Sequence, residues 1–239
     1  MTNDTPTVVL VHGAFADASS FARVIPALLA DGLQVVAPAV PNRSLTGDAA
    51  YLASVVRQIP GPVVLVGHSY GGAVITVAGA EENVKALVYL AGYALEEGES
   101  LGALQGRFPA SELADALVYR PFPLEGGGEG TDVSVETDRF PAIFAADVDP
   151  ALARVLAVSQ RPLAAAAFAE AAPVAAWRTK PSWGLVCTAD RTINPEVERF
   201  GYRRAGMTTV EADSSHLVML SRPEQVADLI RTAVRSVTA

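Results

Sequence analysis

Gly67-His68-Ser69-Tyr70-Gly71 sets a serine between glycines two positions before and two positions after it. An apolar run, Val63 to Val66, precedes this pentapeptide, and a helical pattern starts at Gly71. A serine on a sharp strand-to-helix turn is held in a strained backbone conformation, and the flanking glycines remove side chains that would clash there. The helix behind it aims its N-terminal amides at charge developing on a bound substrate. The chemistry suggested is nucleophilic attack by Ser69 on an acyl carbon. The competing reading is a glycine-rich turn with a spectator serine.

A serine nucleophile needs a base. The three histidines are His12, His68 and His216. His68, adjacent to Ser69, is expected to point away into the scaffold. His12 ends the first strand and is expected to order the loop beside the reacting oxygen. His216 lies in the loop after a strand, Thr208 to Glu211, at the sheet edge where ligands bind, and is the expected base. The orienting carboxylate is expected from Asp190, directly after strand Trp183 to Thr188. Asp213 is closer to His216 in sequence, but its loop would have to fold back. Two amides are needed for the oxyanion. The N–H of Tyr70 is one; the N–H of Ala14, where Gly13 permits a tight turn, is the other.

Short Val/Leu-rich runs alternate with helical patterns through the first part. Strands are expected at Thr7 to Val11, Gln34 to Ala37, Val63 to Val66 and Ala86 to Ala91. Helices are expected at Phe21 to Asp31, Asp48 to Gln58 and Gly71 to Ala80. Runs without polar alternation are covered on both faces, which predicts a parallel α/β sheet. From Glu96 to about Lys180 the rhythm breaks. There Leu124 to Asp132 is a glycine-rich hairpin or loop tip, while Asp149 to Val158 and Arg161 to Ala171 have helical patterns. Alternation resumes with strand Trp183 to Thr188, a helix at Pro195 to Arg204, strand Thr208 to Glu211 and a helix at Pro223 to Val237. The expected organisation is a core of residues 1–95 and 181–239 with a cap of residues 96–180 inserted between two sheet strands.

The 239 residues are half hydrophobic and include 18 basic and 26 acidic side chains, for a formal charge of −8. This balance, without a basic block, speaks against nucleic-acid or anionic-membrane partners. Neither a bilayer-spanning run nor a basic-then-apolar leader is evident. The single cysteine, Cys187, cannot form an internal disulfide. A cytoplasmic location is therefore expected, unless a leader has been trimmed. Three histidines leave little for a metal site, so neither metal nor cofactor is expected. The oligomeric state, monomer or dimer, stays open.

With these pieces in place, the chain resembles the α/β-hydrolase superfamily. Within it the chain is most similar to the group of plant methylesterases and hydroxynitrile lyases, with related bacterial esterases. The resemblance rests on "VLVHGAFADASSF", "VLVGHSYGG", "VCTADRTINPE" and "SSHLVMLSRPE", and more loosely on "DVDPALARVLAVSQRPL". It implies an about six-stranded, mainly parallel sheet flanked by helices, without the first two strands of larger relatives. It also implies the triad Ser69–His216–Asp190, in the superfamily's chain order, with oxyanion donors Ala14 and Tyr70. Lyase members carry threonine where this chain has Gly13 and lysine where it has Leu217, and dehalogenase members carry aspartate at the nucleophile position.

The expected function is hydrolysis of small neutral carboxylic esters with apolar or aromatic groups, through an acyl-enzyme; lactones and activated amides are neighbouring substrates. Phe15, Tyr93, Tyr119, Phe122, Phe144, Trp177 and Leu217 are the expected pocket residues. Two other readings are a non-hydrolytic, hydroxynitrile-lyase-like member of the fold and a slow-turnover, receptor-like binding module.

Overall fold

The computed structural model describes residues 5–238; the polar opening, Met1 to Asp4, lies outside them. Strand β1 (Thr7–Val11) is buried along its whole length, as is β3 (Val63–His68). With β2 (Val35–Val36), β4 (Val84–Leu90), β8 (Ser182–Cys187) and β9 (Thr208–Ala212) they form a six-stranded sheet ordered β2-β1-β3-β4-β8-β9. Every pairing is parallel, so all strands end on one edge. The chain winds outward through β2 and returns for β3. The resulting crevice between β1 and β3 is where open α/β sheets bind ligands.

Helices cover both faces, and their ends follow local chemistry. In α2 (Leu45–Arg57), Ser44 caps the first turn by accepting from Gly47 N–H. In α8 (Pro195–Arg204), Asn194 caps and proline stands at the first position. α3 (Tyr70–Ala78) follows β3 with a single residue, Ser69, between them. α10 (Pro223–Thr238) buries Val226, Leu229, Ile230 and Val234 against the core. The helix expected from Phe21 is shorter: Ala18–Phe21 is a 3-10 turn, and α1 begins only at Ile25 and runs to Ala30. Pro26, lacking an N–H, sits in that first turn, where its absence is harmless.

Between β4 and β8 the chain builds a second, antiparallel sheet ordered β5-β6-β7, from Leu117–Pro123, Glu129–Val135 and Leu163–Ala164. Gly126, Gly127 and Gly128 turn the β5–β6 hairpin with φ of 88°, 100° and 90°. Short helices α4 (Leu101–Gln105), α5 (Phe140–Phe144) and α6 (Pro150–Val158) pack around it. The helix expected over Arg161 to Ala171 is absent. Leu163 and Ala164 pair with β6 instead, Ala164 N–H donates to Asn42 O, and α7 is one turn, Ala166–Ala169. Tertiary hydrogen bonding overrides alanine's helix propensity there.

Candidate active site

Ser69 sits at φ 55°, ψ −122°, between the end of β3 and the start of α3. A positive φ in a non-glycine residue is strained, and the packing around it holds it in place. A Cβ at Gly67 would lie 2.5 Å from Gly71 O, and one at Gly71 would lie 2.3 Å from Val11 O. No side chain fits at either glycine of the turn. Tyr70 opens α3, so its N–H is among the helix amides without an intrahelical acceptor. Its side chain is anchored away from the turn: the Tyr70 hydroxyl donates to Asp48 Oδ2 at 2.7 Å. Burial pushes that Asp48 carboxyl up, against the Tyr70 bond and the Arg43 N–H that lower it.

The loop after β1 lies against Ser69. A Cβ at Gly13 would stand 2.7 Å from Ser69 Cβ and 2.9 Å from His68 O. His12 shapes this loop. Its Nε2 accepts from Val40 N–H at 3.0 Å, which leaves the ring proton on Nδ1 to donate to Gly13 O at 2.9 Å. Ala14 follows, buried, and Phe15 takes φ 63° with its N–H donating to Arg161 O.

His216 Nδ1 donates to Asp190 Oδ2 at 2.6 Å, with both side chains fully buried. Asp190 Oδ1 accepts from Thr192 N–H at 2.7 Å and Ile193 N–H at 3.0 Å. These bonds fix the carboxylate and the tautomer, leaving His216 Nε2 as the free lone pair. That atom is buried and makes no hydrogen bond, to Ser69 Oγ or to any other group. Before substrate binds, catalytic hydrogen bonds are often longer than in the reacting complex.

His68 does not turn away from the site. Its Nε2 donates to His216 O at 2.9 Å, and its ring lies 4.6 Å from that of His216. Burial, and then the neighbouring His216, hold the His68 imidazole well below the usual histidine range. His12 is lowered as well, again chiefly by burial. Both are neutral scaffold groups at neutral pH.

Three expected pocket residues gather here. The Phe144 ring meets His216 edge-on at 4.7 Å and Phe15 at 6.0 Å, and Leu217 is buried beside a small hollow with Phe15 and Phe140. Tyr93 is also buried; burial, and then the nearby Asp190 charge, raise its hydroxyl. The other three lie elsewhere. Tyr119 is 61% exposed, Phe122 stacks under the Arg43 guanidinium, and Trp177 donates Nε1–H to Leu95 O. Aromatic type alone carried no information about direction. An apolar cavity of about 370 Å³ lies among Phe108, Leu113, Leu117, Tyr119, Val133 and Phe168; no member of the Ser69–His216–Asp190 set lines it.

Two contacts had no sequence signal. Ser215 Oγ–H donates to Asp147, and Thr192 Oγ1–H donates to Ile143 O at 3.1 Å. The inserted segment is thereby pinned to the loops carrying His216 and Asp190. Among the described residues no three His, Cys, Asp or Glu side chains gather as metal donors would.

The pattern of the alpha/beta hydrolase family matches residues 8–229, and the chain belongs to that family. A carbendazim hydrolyzing esterase of Nocardioides sp. is 36% identical over 110 residues, which are 40% of this chain and 46% of that protein. In fold the chain is similar to polyneuridine aldehyde esterase, with TM-score 0.83, 19% identity and coverage of 95% and 99% of the two chains. It is likewise similar to the methylesterase MES16 from Arabidopsis, with TM-score 0.81, 17% identity and coverage of 97% and 99%. The chain spans less than half the length of the Nocardioides esterase, and the two solved structures share its fold.

Proposed function

We propose that the chain is a serine esterase that cleaves small neutral carboxylic esters with apolar or aromatic groups. The reading rests above all on the fully buried His216–Asp190 pair at 2.6 Å, with Nε2 of the same ring left unpartnered. His216 Nε2 takes the Ser69 proton as Oγ attacks the ester carbonyl. The Ala14 and Tyr70 amides receive the oxyanion. Asp190 stabilises the imidazolium that forms. Collapse of the tetrahedral intermediate expels the alcohol, which takes its proton from His216. Water, deprotonated by the same nitrogen, then releases the acid.

Ser69 is 5% exposed and His216 fully buried, so the inserted segment acts as a cap that must loosen to admit an ester. Phe15, Phe144 and Leu217 give the space beside the serine an apolar wall. The lyase-like reading is disfavoured because Gly13 and Leu217 stand where lyase members carry the threonine and lysine that handle the cyanohydrin. The test is labelling with an organophosphate alongside hydrolysis of a short aryl ester. One label on Ser69, and loss of both label and turnover in Ser69→Ala, is the expected result. A fully active Ser69→Ala removes the proposal.

A further inference from the structure

Glu198 is a buried acid for which this reaction has no use. It lies on α8 and is 1% exposed. Its Oε2 accepts from Cys187 N–H at 3.1 Å, Asp190 N–H donates to Cys187 O at 3.2 Å so that the two acids flank one residue, and Glu198 Oε1 is buried without a hydrogen-bond partner. Two neighbouring, buried carboxylates do not both ionise. A proton between them removes the repulsion and supplies the donor that Oε1 lacks.

Which acid holds the proton follows from the donors around each. Asp190 accepts from Thr192 N–H, Ile193 N–H and the His216 ring, and all three favour its charged form. Glu198 accepts one amide. Burial pushes its carboxyl well up, and the charge on Asp190 adds to this. The opposing groups are the Cys187 amide and Arg199, whose guanidinium is turned outward onto Glu196 and Glu211. The remaining titratable neighbours are Tyr93, Tyr202 and the Cys187 thiol, each held neutral by burial.

We propose that Glu198 is a protonated carboxylic acid that donates Oε1–H to Asp190, a positioning residue for the Asp190–His216 pair. Its catalytic meaning rests on the triad reading above. The bond holds the Asp190 carboxylate in place and draws off part of its charge. Without it, that charge falls more fully on His216 and stabilises the imidazolium in the resting enzyme.

Glu198→Gln keeps both bonds, with an amide N–H replacing the acid O–H; Glu198→Leu keeps the approximate size and loses them. Infrared spectra at neutral pH and kcat/KM against pH for a short aryl ester are the measurements. The wild-type minus Glu198→Gln spectrum should contain a protonated carboxylic C=O band that shifts in D2O; any band from Asp48 cancels. The acid limb of Glu198→Gln should overlie that of the wild type. In Glu198→Leu it should move to higher pH, with kcat down about tenfold. A difference spectrum without the band overturns the proposal, as does a Glu198→Gln limb displaced as far as that of Glu198→Leu. If Glu198→Leu does not fold, the band and the Glu198→Gln limb decide. A wild type that carries the band but cleaves no ester refutes the function proposed for the site and leaves the proton on Glu198.

Discussion

His68, the residue before Ser69, donates its Nε2–H to the backbone carbonyl of His216, the expected base, at 2.9 Å. One strand end thus sets both the serine and the height of the loop that carries its base. The 4.6 Å approach of the two rings leaves His216 little freedom to tilt.

His68→Ala should therefore slow the reaction without removing any triad member. One buried hydrogen bond is worth about 1 kcal/mol, so kcat should fall by about fivefold, with a lower melting temperature. Steady-state kinetics on a short aryl ester check this. An unchanged kcat would mean that the loop needs no such support.

The base and acid assignments separate by substitution. His216→Ala should lose on the order of 10⁴-fold or more in kcat, as Ser69→Ala does, because triad members act as a unit. Asp190→Asn should be damaging, whereas Asp213→Asn should be close to wild type. The reverse order for the two aspartates would reassign the acid. Activity should rise with pH as His216 loses its proton, and His216→Ala should lack that limb.

Stability should fall in acid, and the buried histidines set where. His12 and His68 have lowered values in the fold, so below about pH 6.5 the unfolded chain takes up protons that the native state refuses. Their contribution is present above that pH and is lost as pH falls. Glu198, with its raised value, has the opposite sign: its contribution is present below about pH 4.3 and is lost as pH rises toward the folded value. Urea midpoints across pH should show a shallower acid loss in His68→Gln. Glu198→Gln should gain on the wild type as pH rises.

Substrate choice tests the apolar wall. A short aryl ester should exceed a long-chain triglyceride and a free-carboxylate ester in kcat/KM under identical conditions. A win for the carboxylate would point to Arg161, whose backbone carbonyl accepts from Phe15 N–H in the loop after β1 and whose Nε is buried without a partner. Arg120 is a poorer candidate, exposed and leaning on Ser134.

Gly13→Ala should be costly for its size. The added Cβ meets Ser69 Cβ and the His68 carbonyl, and neither is the end of a flexible side chain. A loss of at least about tenfold in kcat is expected, with the fold retained. Activity equal to the wild type would show that the two loops separate more easily than their packing implies.

Much of the core was legible because parallel strands leave a plain trace: Val63–His68 and Val84–Leu90 are apolar on both faces. The sequence placed Ser69, Asp190 and His216 after strand ends, and parallel pairing makes those ends neighbours. The inserted segment was less legible. Ala164 and Ala165 have helical propensity, yet Asn42 O and Thr131 O claim their amides, and no local pattern announces such distant acceptors. Trp177 and Phe122 illustrate the same blindness, since composition said aromatic but not which way. His68 is buried in the scaffold as its adjacency to Ser69 suggests, but adjacency does not say that its ring will meet the loop carrying His216. Glu198 was invisible for another reason: a glutamate in a helix otherwise rich in charge looks like a solvent-facing residue.

The insertion between β4 and β8 also sets an order of assembly. Ser69 and its turn belong to the strands made first, whereas Asp190 and His216 follow β8 and β9. During synthesis Ser69 emerges well ahead of Asp190 and His216, and residues 96–180 are made before β8 can add beside β4. If the proposed roles hold, a nascent chain carries a shaped but unactivated serine. On the proposed mechanism reactivity arrives late, with the strands that lead to Asp190 and His216, so unfinished chains are expected to be silent toward esters and toward serine-directed poisons alike.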